Sequence, residues 1–160
     1  LWHIYSAAVP PQLSAPTFQQ HIQSLEPWEQ ELLASHSLAA PPEEIMRQLN
    51  HDTIVAASDG SVIHQSGSFG YVIATHTAQR RLITGNGPAF GNDPSSFRAE
   101  AYGVLAIIRM LYQLTKYTNK PLESLMHHHI DNSGVVQTLE KTLPSNRWSP
   151  NATLQPEWDV

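Results

Sequence analysis

The chain has 160 residues and no cysteine, and 41% of its residues are hydrophobic, which suits one globular domain of ordinary size with some additional chain. The absence of cysteine excludes a disulfide framework and a thiolate metal site or nucleophile. The net charge of −5 is divided unequally: residues 1–50 hold one Arg and five Glu (−4), whereas residues 51–160 hold 8 Lys and Arg and 9 Asp and Glu (−1). This balance permits phosphate binding but lacks the strongly basic patch typical of nucleic-acid-binding proteins.

No apolar run reaches the roughly 18 residues that a membrane span needs. The first ten residues also lack the charged start of a signal peptide. We therefore expect an intracellular protein with no membrane partner. Because the chain starts at Leu1 rather than at Met, we also expect it to be an excerpt from a longer polypeptide.

The first 50 residues predict a helical N-terminal arm or linker. Prolines cluster here, and apolar residues at helical spacing predict two short helices broken at Pro27 and a third beginning at Pro41 and Pro42. Near residue 50 the composition changes. We therefore place a domain boundary there, with residues 51–160 as the main domain.

From Thr53 onward the apolar pattern changes to the period of a β-strand. Three strands are predicted, over residues 53–58, 68–75 and about 80–86, and together they form an antiparallel meander. The glycines at positions 60, 67, 85, 87 and 91 are predicted to lie in the turns.

A long helix follows, with Ser95 or Ser96 as its N-cap. Its predicted apolar face is formed by residues 97, 101, 104, 105, 108, 111 and 112. A fourth strand, over residues 122–130, is reached by a crossover and is predicted to pair in parallel with the first. A short helix over residues 133–141 comes next.

Three acids stand at notable places in this pattern. Asp59 ends the first strand, Asp131 ends the fourth, and Glu100 lies within the apolar face of the long helix. Carboxylates in such places are costly unless a cation meets them, and a shared divalent metal would do so. The alternative is that Asp59 is a turn acid, Glu100 a first-turn helix acid and Asp131 the N-cap of the next helix.

Four motifs occur in a fixed order around these acids. They are Asp59-Gly60-Ser61, the segment Gly-Ser-Phe-Gly-Tyr-Val at 67–72, Arg98-Ala99-Glu100 and Ile130-Asp131-Asn132. Together they resemble the ribonuclease H domain that retroelement polyproteins carry beside reverse transcriptase. The resemblance covers roughly residues 53–134.

The resemblance implies an α/β fold of the ribonuclease H-like type, with three antiparallel strands, a fourth strand parallel to the first, and the helical arm in front. It implies a metal-dependent endonuclease that hydrolyses the RNA strand of RNA/DNA hybrids. Asp59, Glu100 and Asp131 would be the catalytic residues and would bind two Mg²⁺ or Mn²⁺ ions. The implied partners are the RNA/DNA hybrid and an upstream reverse transcriptase region of the same polypeptide.

The groups nearest to the acids are the candidates for substrate binding. Gly60, Ser61 and Asn132 are expected to contact the hybrid, where recognition of 2′-hydroxyl groups would select the RNA strand. The family's fold continues with a last strand and a last helix that carries a fourth metal-binding Asp. We expect this part to be missing from the chain, with Asp159 as a weaker candidate for the fourth acid.

Two further hypotheses remain open. His127, His129 and Asp131 share a strand face and offer a transition-metal ligand set, or else these histidines lie on a solvent-facing strand with His128 pointing into the core. In addition, the domain could be a catalytically inactive retroelement derivative that only binds or packs against a partner.

Overall fold

The computed structural model describes residues 17–78, 80–91 and 95–142. Within these ranges the helices are α1 (Phe18–Gln23), α2 (Pro27–Leu33), α3 (Pro42–His51), α4 (Ser96–Thr118) and α5 (Ser133–Thr142). The strands are β1 (Ser35–Leu38), β2 (Ile54–Ile63), β3 (Ser66–Thr75), β4 (Arg81–Ala89) and β5 (Met126–His129). None of the described helices is both long and apolar enough to span a membrane.

The strands form one mixed sheet in the order β1-β4-β3-β2-β5. β2, β3 and β4 pair as an antiparallel meander, and β5 pairs in parallel with β2 after the crossover through α4. This is the mixed α/β topology that the sequence predicts for these four strands, with an antiparallel meander and a parallel strand after the crossover.

Helix α4 packs across β2 and β3 and carries most of the core contacts on its side of the sheet. Its N-cap is Ser95, whose hydroxyl accepts a hydrogen bond from the Arg98 backbone N–H at 3.0 Å. The buried face differs from the predicted one, because Ile108 is 44% exposed while Ile107 and Met110 are fully buried. Apolar residues surround much of this helix, so spacing alone did not fix the inward face.

Residues 17–51 pack into the same hydrophobic core as the sheet and α4. Phe18 and Ile22 of α1 are buried there, and so are Ile45, Met46 and Leu49 of α3. Thr17 caps α1. Pro27 and Pro42 occupy first turns of their helices, as the sequence predicts. The division into an arm and a main domain at residue 50 stays a prediction.

The sequence analysis missed strand β1, which lies inside this arm. Residues Ser35 to Leu38 pair antiparallel with β4 at the edge of the sheet. The Ser-His-Ser-Leu sequence is short and mostly polar, so it lacks the apolar alternation by which a strand is recognised. An edge position tolerates such a sequence because one side of the strand faces solvent.

Several element boundaries also differ from prediction. β2 continues through Asp59 and Gly60 to Ile63, and the chain turns only at His64, which has a φ of 56°. β4 likewise extends to Ala89, three residues beyond the predicted end. β5 begins four residues later than predicted. Before it, the backbone groups of residues 121 and 123 form hydrogen bonds with the side-chain amide of Asn50 on α3.

Four of the five glycines predicted for turns lie within strands instead. In β4, a Cβ on Gly85 would lie 2.5 Å from the ring of Tyr71, and one on Gly87 would lie 2.8 Å from the ring of Phe69. These glycines therefore make room for aromatic rings on β3. Gly91, with a φ of 144°, is the one that follows the prediction. Asp159 lies outside the described residues.

Candidate metal centre

The register of the parallel pair places Asp59 beside Asp131. The last paired residues of β2 and β5 are Ala57 and His129, so the positions two residues further along each strand are Asp59 and Asp131. Parallel neighbours are about 4.8 Å apart, and their carboxyl ends meet at the same edge of a sheet. The two acids therefore emerge together where the ladder ends.

Glu100 reaches this edge because α4 approaches β2 unusually closely. A Cβ on Gly60 would lie 2.5 Å from the backbone of residues 99 and 100, and a Cβ on Gly103 would lie 2.7 Å from the Cβ of Ser58. No larger residue fits at either position without moving the helix away from the strand. Two glycines, one on each element, thus bring the Glu100 side chain to the two aspartates.

The structure brings all three predicted acids together. One carboxylate oxygen of each lies within 4.8 Å of the others. Glu100 is 3% exposed, whereas Asp59 and Asp131 are exposed to solvent. The acids therefore form a cluster that is open on one side and buried on the other.

The simpler explanations for the three acids do not hold. Asp59 lies in the middle of β2, opposite Gly70 of β3, rather than in a turn. Glu100 is the fifth residue of α4, outside its first turn. The side chain that caps α5 is that of Asn132, whose Oδ1 accepts hydrogen bonds from the backbone N–H groups of residues 134 and 135.

The electrostatics of the cluster are unfavourable to three ionised carboxylates. The pKa of Glu100 is raised to about 7, chiefly by burial. A hydrogen bond with Asp131 and the negative charges of Asp131 and Asp59 also raise it, while a hydrogen bond from the Gly60 N–H lowers it. The Glu100 Oε2 atom is buried and lacks a hydrogen-bond partner within the described chain. Such a group is costly to bury unless a ligand satisfies it.

These features fit a divalent metal. Three carboxylates supply hard oxygen ligands, which Mg²⁺ and Mn²⁺ prefer over nitrogen or sulfur. A cation would satisfy the unpartnered Oε2 and remove the repulsion that raises the pKa of Glu100. The residues that would hold it are Asp59, Glu100 and Asp131.

A cleft of about 420 Å³ lies directly beside the two aspartates. Its lining includes Ser58 and His128, which are joined by a hydrogen bond of 3.0 Å between the serine Oγ and the imidazole Nε2. His129, Ile130 and Val136 complete the wall. The cleft opens onto the exposed side of the acid cluster.

The three histidines divide between the two faces of β5. His128 lies on the inward side, as predicted, and its pKa is lowered to about 4 by burial and by the neighbouring His129. His127 and His129 are exposed. Within the part of the chain that the structure describes, only the three acids form a group with metal-ligand geometry, so the proposed His127, His129 and Asp131 site gains no support.

The three candidate substrate-binding residues lie close to the acids in the chain but have different surroundings. Gly60 faces the backbone of residues 99 and 100 on α4. Ser61 is exposed, with its hydroxyl 3.0 Å from that of Ser68. Asn132 uses its Oδ1 atom to cap α5. Their role in binding stays a prediction.

Two residues of this site were missed by sequence reasoning, namely Ser58 and Gly103. A serine at an inward position of an otherwise apolar strand was a possible signal, because a buried hydroxyl must find a partner. Gly103 gave a weaker signal, since a glycine inside a long helix costs about 1 kcal/mol relative to alanine and suggests close packing.

Comparisons with known proteins match this chain to a solved structure but to no family model or curated protein. No protein-family model matches the chain. No curated protein matches it either. Among solved structures it is similar to the crystal structure of LC11-RNase H1 in complex with an RNA/DNA hybrid, with 18% identity, coverage of 62% of this chain and 68% of that one, and a TM-score of 0.41. At that identity and TM-score, the likeness does not extend to function.

Proposed function

We propose that this protein is a metal-dependent endonuclease that hydrolyses the RNA strand of RNA/DNA hybrids, as part of a retroelement polyprotein. The observation that carries the proposal is the cluster of Asp59, Glu100 and Asp131, whose oxygens lie within 4.8 Å of one another at an open cleft. Three unneutralised carboxylates would repel a phosphodiester. The same three acids with bound divalent cations would attract it.

The chemistry expected here is metal-assisted hydrolysis. Divalent ions held by the three acids would lower the pKa of an attacking water and stabilise the charge of the leaving 3′ oxygen. Glu100 would have to lose its proton to act as a ligand, because the proton and the metal compete for the same oxygens. The exposed Asp59 and Asp131 would line the side from which the scissile phosphate enters.

The hybrid as substrate is proposed from the sequence motifs. The exposed Ser61 hydroxyl and the amide nitrogen of Asn132, whose oxygen is already used in the cap, are polar groups suited to contact 2′-hydroxyls. The upstream reverse transcriptase region is proposed as a partner on the same basis.

An assay on end-labelled duplexes tests the proposal. With Mg²⁺ or Mn²⁺, the protein is expected to cleave the RNA strand of an RNA/DNA hybrid and to leave DNA/DNA and RNA/RNA duplexes intact. Asp59→Asn should abolish cleavage, while Glu123→Gln, which removes an exposed acid before the start of β5, at the end of that strand opposite Asp131, should not. Hybrid binding without cleavage at any metal concentration would instead support the inactive binding domain.

A further inference from the structure

Ser58 lies where the three elements that carry the acids meet. It precedes Asp59 on β2, and its Oγ is 3.0 Å from the Nε2 of His128 on β5. On its other side it touches α4 so closely that a Cβ on Gly103 would lie 2.7 Å from the Ser58 Cβ and 3.2 Å from its Oγ. Gly103 follows Glu100 by about one helical turn. One buried side chain therefore contacts every element of the metal centre.

The backbone pairing between β2 and β5 is short and stops before the acids. It covers four residues of each strand and ends at Ala57 and His129. Across the described ranges, the Ser58–His128 bond is the only side-chain hydrogen bond between these two strands. It lies one residue past the last paired position of β2 and one residue before that of β5, so it joins the two strands at the end of their pairing, next to Asp59 and Asp131.

The acids need such a link because they repel each other. Three carboxylates within 4.8 Å favour separation of the strands and the helix that carry them. His128 is suited to the task because burial keeps its imidazole neutral at pH 7, with a pKa lowered to about 4. It holds the strand through a hydrogen bond and adds no charge that would compete with a cation.

We propose that Ser58 and His128 are positioning residues of the metal centre. Their hydrogen bond holds β5 against β2 and α4, so that Asp59, Glu100 and Asp131 stay within reach of the same ion. This inference rests on the proposed metal-dependent function. Residues that do not bind a metal themselves but orient its ligands typically lower the metal affinity by about 10- to 100-fold when they are mutated.

A double-mutant series separates positioning from simple burial of a polar pair. Ser58→Ala and His128→Leu each leave one buried partner unsatisfied, so each should lower both thermal stability and Mn²⁺ affinity. The double variant removes both polar groups and should regain much of the stability. If the pair positions the acids, Mn²⁺ affinity in the double variant nevertheless stays about tenfold or more below wild type.

Two further variants serve as controls. His128→Gln can still present a hydrogen-bonding group toward Ser58 and should retain most of the Mn²⁺ affinity. Ser68→Ala removes a hydrogen bond of the same 3.0 Å length on the other side of β2 and should leave affinity unchanged. A stable double variant that binds Mn²⁺ as tightly as wild type would overturn the inference.

A measurement on the metal-free protein keeps this inference separate from the proposed function. Backbone amide NMR signals of Glu100 and Asp131 should shift in the double variant and remain close to wild type in Ser68→Ala. If wild type neither binds Mn²⁺ nor cleaves the hybrid, the proposed function fails, and these signals alone decide whether the pair positions the acids. Unchanged signals in the double variant would contradict positioning.

Discussion

Helix α4 contacts one buried glutamate, Glu29, and carries another, Glu100, and the two have opposite surroundings. Glu29 of α2 is 4% exposed, and its Oε1 accepts hydrogen bonds of 2.7 Å from both Arg109 Nε and Gln113 Nε2. Glu100 of α4 is 3% exposed, but its charged neighbours are two further acids and its Oε2 has no partner in the described structure. Equal burial thus accompanies opposite electrostatic surroundings.

These opposite surroundings distinguish a carboxylate with a structural role from one whose charge the chain itself does not neutralise. Around Glu29 the chain itself supplies a cation and an amide, and the network extends to His21, whose Nε2 is 2.9 Å from the Gln113 Oε1. The result fixes α1 and α2 to α4. Around Glu100 the chain supplies the negative charges of Asp131 and Asp59, which repel an ionised Glu100 and do not stabilise the fold. A buried acid of that kind is a functional candidate because the fold retains an unfavourable arrangement.

The largest effect on stability is expected from removing Glu29 from its hydrogen bonds with Arg109 and Gln113. Glu29→Ala leaves the guanidinium of Arg109 and the amide of Gln113 without their shared acceptor and should destabilise the protein by about 3 kcal/mol. For a chain of this size, that corresponds to a fall in melting temperature of roughly 6–12 °C. Mn²⁺ affinity should remain at the wild-type value. An intact melting temperature would show that the arm is held by its apolar contacts alone.

The reverse outcome is expected at the other glutamate. Glu100→Gln removes one metal ligand and one charge, so Mn²⁺ affinity should fall by more than about tenfold, while the metal-free protein should become slightly more stable because repulsion is reduced. Calorimetric titration and thermal melting of both glutamate variants would show the crossed pattern. Loss of stability in Glu100→Gln would mean that this carboxylate is structural after all.

The pH dependence of stability sharpens the same contrast. The pKa of Glu100 rises from an ordinary 4.5 to about 7 in the folded protein. Between these values the folded state holds more protons than the unfolded chain, so this group makes the free energy of unfolding decrease as pH rises. The penalty is absent below pH 4.5 and complete above about pH 7.

Denaturant unfolding at several pH values measures this effect. Without metal, wild type should lose stability relative to Glu100→Gln as the pH rises from 4.5 to 7. At neutral pH, saturating Mg²⁺ should restore the stability that wild type has lost. Parallel pH profiles of the two metal-free proteins would contradict the raised pKa.

Much of the site could be predicted because strand patterns and acids are local features. The apolar run before Asp59 and the crossover before Asp131 were sufficient to place two carboxylates on neighbouring parallel strands. The structure around Gly60, directly after Asp59, was harder to predict from the sequence. Gly60 was interpreted as a turn signal, whereas its role is to let α4 approach β2, and close approach depends on a distant element that no local pattern reveals.

The arm was predicted least well, and the reason is also physical. Its helices carry clear proline and apolar signals, but β1 exists only because β4 offers an unpaired edge. Glu29, too, has the sequence context of an ordinary surface acid in a first turn. Its partners Arg109 and Gln113 lie 80 and 84 residues away. Polar networks of this kind become visible only once the packing of α2 on α4 is known.

The smallest expected effect comes from a variant that tests whether Glu29 needs only the positive charge of Arg109 or also the planar shape of its guanidinium group. The guanidinium of Arg109 lies 4.8 Å from the ring centre of Tyr112 and 5.4 Å from that of Trp28, so it both binds Glu29 and stacks between two aromatic rings. Arg109→Lys keeps the positive charge but loses the planar group that makes these contacts together, and we expect a loss of about 1 kcal/mol. Arg47→Lys, at an exposed pair on α3, is the matched control and should leave the melting temperature unchanged. If Arg109→Lys is equally silent, charge alone satisfies Glu29, and the contrast with Glu100 reduces to the sign of the neighbouring charge.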